Sequence, residues 1–324
     1  MDSNAKIYVA GHCGLAGSAI VRSLRAAGYG NIVCRTHAEL DLTNQKSVRD
    51  FFSTERPEYV FISAAKVGGI YANSHYPGDF VFQNLAIQTN IIHESWKVGV
   101  KRLLFLGSSC IYPRECPQPM KEGYLLTGPL EPTNRPYAVA KIAGIEMCWA
   151  FNRQYGTSYI AVMPTNLYGP GDNYDLQTSH VLPALIRKMH EAKVRGDKEV
   201  AVWGSGTPRR EFLFSSDLGD ACVFLANLPD DKYSSLLTSD NPPLINVGCG
   251  NDLSIWELAN LVAQITGFNG RLVLDETKPD GAPRKLLDIA KMTALGWGPK
   301  TALQDGIALA YREFVAREND GGIK

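Results

Sequence analysis

At 324 residues the chain is long enough for a large core and two lobes. Its 33 basic and 33 acidic side chains cancel, which argues against a nucleic-acid or membrane-surface partner but leaves room for an anionic small ligand held by a local cluster. The longest apolar runs, such as Tyr59–Ala65, are too short to span a bilayer; Met1-Asp2-Ser3-Asn4 shows no signal pattern, so a cytoplasmic location is expected; and seven scattered cysteines without a CxxC predict neither a metal site nor a disulfide framework.

Lys6–Ala10 reads as a strand that runs straight into Gly11-His12-Cys13-Gly14-Leu15-Ala16-Gly17, after which Ser18–Ala27 has helical spacing. Strand, glycine-rich turn and helix is the context a dinucleotide-binding loop requires. Gly11 permits the tight turn, Gly14 lets the backbone approach a pyrophosphate, and Gly17 lets helix and strand pack closely. Asn31–Cys34 is a short second strand, followed by Arg35-Thr36-His37 with the first acid only at Glu39. A cation at that place suits a 2′-phosphate, which favours NADP over NAD; a solvated loop arginine is the competing reading. Asp41-Leu42-Thr43 either contacts the adenine or caps a helix over Asn44–Glu55. A third buried strand, Tyr59–Ala65, and a long helix, Asp79–Val98, come next.

Leu103–Leu106 is a fourth buried strand, closed by Gly107. It delivers Ser108, Ser109 and Cys110 to the carboxyl end of the sheet, where ligands bind in open α/β folds. Pro113–Pro136 is a long loop or lid. The helix that follows, through Gln154, places Tyr137 and Lys141 one turn apart on one face. An ammonium beside a phenol favours the phenolate and should lower the tyrosine pKa toward the range of an acid/base, although an exposed Tyr–Lys pair would have the same spacing. Tyr159–Met163 is a fifth strand, running into Pro164-Thr165-Asn166-Leu167.

Beyond this the alternation weakens. His180 opens a helix that carries Lys188; Val200–Trp203 and Arg209–Phe214 read as strands; helix Ser216–Leu228 and strand Ile245–Gly248 return to the first lobe. Asp230–Pro243 reads as a polar connector. Ser254 and Glu257 form a capping box for an amphipathic helix, Lys278–Lys285 is a basic loop, and a helix over Leu303–Arg317 precedes a Gly-rich tail. The expected class is α/β: a Rossmann-type doubly wound parallel sheet (residues 1–170 plus roughly 214–250) with a smaller C-terminal α/β lobe (171–213 and 251–324) that holds the substrate.

The glycine loop, the serine pair and Tyr137/Lys141 together resemble the extended short-chain dehydrogenase/reductase superfamily. Longer segments narrow this: Gly107–Pro113 (GSSCIYP), Glu131-Pro132-Thr133-Asn134, Met163–Pro170 (MPTNLYGP), Ser179–Leu185 (SHVLPAL), Val202–Glu211 and Lys278–Leu287 are similar to the GDP-L-fucose synthase family. That resemblance implies NADPH-dependent conversion of GDP-4-keto-6-deoxy-D-mannose to GDP-L-fucose. Tyr137 would be the proton donor at the carbonyl oxygen, Lys141 its support, Ser108 a hydrogen-bond donor to the sugar carbonyl, and Cys110 with His180 the epimerisation pair. Cofactor contacts would fall on Gly11–Gly17, Leu106, Gly107, Ser108, Ser109, Lys141 and Pro164–Leu167. Substrate contacts would fall on His180, Lys188, Trp203, Arg210 and Asp280. A homodimer is usual in the superfamily. Two departures bear on the cofactor: Cys13 and His37 stand where members carry arginine, which leaves Arg35 to meet the 2′-phosphate.

The substrate explains this inventory. A ketone at C4 acidifies the hydrogens on C3 and C5, and inverting either carbon needs a base on one face and an acid on the other. A thiol and an imidazole can both titrate near neutral pH. The enolate oxygen needs donors, and Tyr137 with Ser108 supply them. Two alternatives remain at this stage: the same chemistry on a 3,6-dideoxy sugar giving GDP-L-colitose, and a non-catalytic NADP-binding regulator.

Overall fold

The computed structural model describes residues 1–237, 240–278 and 280–320; Pro279 of the basic loop and the Gly-rich tail lie outside the described residues. In chain order the strands are β1 (Ile7–Ala10), β2 (Ile32–Val33), β3 (Tyr59–Ile62), β4 (Arg102–Leu106), β5 (Tyr159–Pro164), β6 (Asn166–Tyr168), β7 (Glu199–Trp203), β8 (Arg209–Phe214), β9 (Leu244–Val247), β10 (Asp252–Ser254), β11 (Arg271–Asp275) and β12 (Arg284–Lys285).

Six of them form one parallel sheet in the order β2-β1-β3-β4-β5-β9. β1, β3, β4 and β5 are buried at every position, the signature of a sheet covered on both faces. One face packs on helices Leu15–Ala26 and Ser215–Ala226, whose close approach is made possible by Gly219: a Cβ there would stand 2.5 Å from the Ala19 carbonyl oxygen. The other face packs on helices Gln45–Glu55, Pro77–Val98 and Arg135–Tyr155. The strand order reverses at β1/β3, which makes the crevice beyond their carboxyl ends the expected ligand site.

A second sheet runs β10-β8-β12, with β6 also paired to β8, and β7 pairs with β11. Helices Val181–Arg195, Ile255–Thr266 and Leu303–Asn319 close over this part around a separate core that includes Leu185, Phe212, Leu258 and Phe314.

Several details differ from the sequence reading. The cap of helix Gln45–Glu55 is Asn44, whose side chain accepts from the Ser47 N–H, while Asp41 accepts from Thr43 within its own turn. β11 has no expectation to match, because its side chains are only partly covered and show no clean alternation. The polar connector after residue 229 contains a short helix, Asp230–Ser234. It is fixed by buried Tyr233, which donates to the Ser158 carbonyl and lies under the Arg102 guanidinium. No helix among the described residues is long and apolar enough to cross a membrane.

Candidate active site

The glycine loop leaves β1 at Gly11, whose φ of +84° and position 2.5 Å (for a Cβ) from the Ala64 backbone nitrogen both exclude other residues. A Cβ on Gly17 would overlap the Gly11 carbonyl and the Ser63 hydroxyl. Gly14 is the N-cap of helix Leu15–Ala26 and brings no side-chain cap, so the first N–H groups stay available to an anion. His12 Nδ1 is buried without a hydrogen-bond partner among the described residues, while its Nε2 meets Cys13 Sγ at 3.3 Å. This cradle, bare of side chains and holding an orphaned imidazole nitrogen, fits a dinucleotide.

Arg35 follows β2, but its guanidinium is committed. It pairs with Glu55 at 2.6 Å, donates to the Cys34 carbonyl at 2.8 Å and covers the Phe51 ring. Burial raises the Cys34 thiol pKa; Arg25, then Cys13 and Arg35, act on it as charges, so all four side chains gather at this end of the cleft. Arg25 is a cation there that the sequence reading did not single out.

β4 ends at Leu106. Gly107 turns the chain where any Cβ would strike Met163, and the Ser108 hydroxyl accepts from the Cys110 N–H at 3.3 Å, starting a short turn over Ser109–Ile111. Ser109 is buried, and Ser108 and Cys110 are half-buried. The helix carrying Tyr137 and Lys141 lies tight on β4 because Gly144 meets the Phe105 ring (2.5 Å from a Cβ there). Lys141 Nζ therefore reaches the Leu106 carbonyl at 2.8 Å, and lies 5.8 Å from the Tyr137 ring centre.

The expectation that Lys141 lowers the Tyr137 pKa is corrected here. Burial pushes the phenol well above its ordinary value, nearby Cys110 adds to this, and the Ser108 hydroxyl beside it offsets part. The same burial brings the Lys141 ammonium down to about 7. Lys141 turns its nitrogen to the Leu106 carbonyl, and burial is the largest influence on the phenol.

On the other side of the cleft, β8 and β12 run parallel with Arg210 opposite Lys285. Lys285 Nζ stands 3.8 Å from Cys110 Sγ. His180 is the N-cap of helix Val181–Arg195. The residue as a whole is exposed, yet burial of the imidazole by the protein around it, and then the Lys285 charge, lower its pKa. Arg210 is held by the Arg209 carbonyl at 2.8 Å; burial lowers its pKa, opposed by the charges of Cys110 and Asp280. Asp280 accepts from the Ser205 N–H at 2.8 Å and its hydroxyl at 2.9 Å. Further along, Lys188 and Lys278 lie 4.4 and 5.4 Å from the ring of Trp203, which is 52% exposed.

Thus Ser108 and Cys110 neighbour Tyr137, Lys285 links Cys110 to His180, Arg210 feels the charges of Cys110 and Asp280, and Lys188 lies over the Trp203 ring. Pro164–Leu167 runs between the sheets: Thr165 and Asn166 both donate to the Glu211 carbonyl, at 3.1 and 2.8 Å. Lys285 and Glu211 were not among the expected site residues. Lys285 was visible only as part of a basic loop, and a buried glutamate inside a strand leaves no spacing signal.

Residues 7–248 match the NAD dependent epimerase/dehydratase family. Over 97% of its length the chain is 57% identical to GDP-L-fucose synthase 1 of Arabidopsis thaliana, 94% of which is covered. It is 50% identical to the GDP-L-fucose synthase of Escherichia coli, over 98% of each chain. The chain belongs to the GDP-L-fucose synthase family. GDP-L-colitose synthase of Yersinia pseudotuberculosis is a more distant relative of this GDP-L-fucose synthase family member, at 34% identity over 97% of the chain and 99% of that protein. A GDP-mannoheptose C4 reductase from Campylobacter jejuni, solved with NADP bound, superimposes with a TM-score of 0.87 at 42% identity, covering 97% of this chain and 99% of that one.

Proposed function

We propose that this protein epimerises GDP-4-keto-6-deoxy-D-mannose at C3 and C5 and reduces it at C4 to GDP-L-fucose, in one site. The observation that carries the reading is the approach of Cys110 and His180 to a common neighbour, Lys285. A plain reductase needs Tyr137, Ser108 and Lys141 but no thiol and imidazole across the sugar. The high identity to GDP-L-fucose synthases supports the 6-deoxy substrate over the 3,6-dideoxy one.

The cofactor is NADP(H), which supplies the hydride when bound. Gly11–Gly17 would hold its pyrophosphate, Ser109 and Pro164–Leu167 would line its nicotinamide end, and Arg35 and Arg25 would face its 2′-phosphate. Tyr137 and Ser108 hold the C4 oxygen of the sugar, stabilise it as an enolate while a neighbouring carbon is inverted, and Tyr137 returns a proton to it in the reduction. Cys110 and His180 exchange protons with C3 and C5 from opposite faces. Arg210 and Lys188 offer cations for the diphosphate, and Trp203 an aromatic surface for the guanine.

A cytoplasmic location and a homodimer belong to the same proposal. Seven unpaired thiols suit a reducing compartment. Helices Pro77–Val98 and Arg135–Tyr155 pack on each other and leave Phe82 and Val139 exposed, apolar surface that a second copy would cover.

The deciding experiment incubates the protein with NADPH and GDP-4-keto-6-deoxy-D-mannose and identifies the product by NMR. GDP-L-fucose is expected. NADPH oxidation no faster than the substrate-free background would leave the regulatory reading, and preferential turnover of the 3,6-dideoxy sugar would favour GDP-L-colitose.

A further inference from the structure

We propose that Glu211, a fully buried carboxylate on β8, is a positioning residue that sets where Lys285 stands against Cys110. The inference rests on the proposed function. β12 pairs with β8 for only two residues, Arg284 with Arg209 and Lys285 with Arg210. At the next position the side chain takes over from the backbone. Glu211 Oε2 accepts the Leu287 N–H at 2.9 Å, two residues past Lys285. Its Oε1 accepts the N–H groups of both Cys249 and Gly250, each at 2.7 Å. One carboxylate, 0% exposed, thereby joins the lysine-bearing strand to the turn after β9. Gly248 makes room for it, since a Cβ there would press on the carboxylate. On the far side, Gln118 and Met120 bond to Leu286 and fix the same segment from the lid loop.

The acceptor count makes this testable. Glutamine keeps one oxygen, and two N–H groups converge on Oε1 against one on Oε2. Glu211→Gln should therefore keep its oxygen on Cys249 and Gly250 and turn its amide toward the Leu287 N–H, donor against donor. That removes the hold of β8 on Leu287 and leaves the segment to its bonds with Gln118 and Met120. The Glu211 carbonyl, which Thr165 and Asn166 use on the cofactor side, is unchanged by the substitution.

The experiment measures, in deuterated water, label entering C3 and C5 of the sugar relative to NADPH oxidised. We expect Glu211→Gln to lower that ratio by about tenfold, as a displacement of an ångström or so at a reacting group can. NADPH affinity, read by fluorescence titration, should stay at the wild-type value. Lys285→Met should show the same defect, and adding Glu211→Gln to it should lower the ratio no further, because the second change acts through the first. Gly248→Ala, which drives a Cβ into the same carboxylate and displaces it, should give the same defect and carries the test if Glu211→Gln does not fold. An unchanged ratio in the folded variants, or additive losses in the double variant, would overturn the proposal. Failure of the wild-type protein to turn over the keto sugar would instead overturn the function it rests on.

Discussion

Lys285 Nζ lies 3.8 Å from Cys110 Sγ, across 175 positions of sequence. The contact joins the end of β4 to β12 and puts a cation beside the thiol assigned to inversion. Cys110→Ala should leave the Tyr137, Ser108 and Lys141 set in place, so C4 reduction continues while inversion is lost. We expect deuterium entry at C3 and C5 to fall by about 10²-fold or more, the usual scale for removing an acid/base group. Unchanged labelling would remove Cys110 from the inversion step.

Burial holds the Lys141 ammonium at about 7, against an ordinary lysine value of about 10.4. Between these values the unfolded chain binds a proton that the folded chain has given up, so stability rises with pH across that window. Below about 7 the cost of the buried charge is present in full. Lys141→Met removes this dependence. In the nucleotide-free protein, its Tm relative to wild type should be highest near pH 6.5 and decline toward pH 10, with a free-energy swing of at most about 4 kcal/mol. A difference that does not vary with pH would show that Lys141 stays charged in the fold.

The Arg35–Glu55 pair at 2.6 Å neutralises the one cation that directly follows β2. Glu55→Gln leaves the guanidinium uncompensated. The ratio of kcat/KM for NADPH over NADH should rise about fivefold, equivalent to about 1 kcal/mol for one charge-assisted bond. No movement in the ratio would mean that Arg35 does not face the 2′-phosphate.

Ser254 and Glu257 close a reciprocal capping box at the start of helix Ile255–Thr266, with Ser254 Oγ accepting from Glu257 N at 3.1 Å and Glu257 accepting from Ser254 N at 2.7 Å. Ser254→Ala should cost about 1 kcal/mol in urea unfolding. Activity should follow the wild type, since the cap touches none of the site residues; equal midpoints would show that the box adds nothing measurable.

What was legible in the sequence was local. The strand, glycine loop and helix at residues 7–26, the one-turn spacing of Tyr137 and Lys141, and the Ser254/Glu257 box all depend on neighbours within a few positions. The long motifs carried the family. What was hidden depended on pairing at a distance. Nothing near Arg35 announces that Glu55 will take its charge, and nothing in the 278–285 run singles out Lys285 over Arg284, which turns to Asp252 instead. The direction of the Tyr137 shift was missed for the same reason: helical spacing shows which groups are adjacent, while how much protein surrounds half-buried Tyr137 and buried Lys141 comes from the packing of their helix on β4 through Gly144 and Phe105.

Pro164 is the last residue of β5 in the six-stranded sheet, paired with Val247, and Asn166 is already paired with Phe212 in the other sheet. The single residue between them, Thr165, donates its N–H to Val247 and its hydroxyl to Glu211, both at 3.1 Å. At this crossing between the two sheets the backbone has no unpaired residue to spare. Under the proposed function, the span from cofactor side to sugar side along this crossing is a fixed length of backbone. Small-angle scattering should give the same radius of gyration with and without saturating NADPH and GDP; a contraction would show that the halves swing.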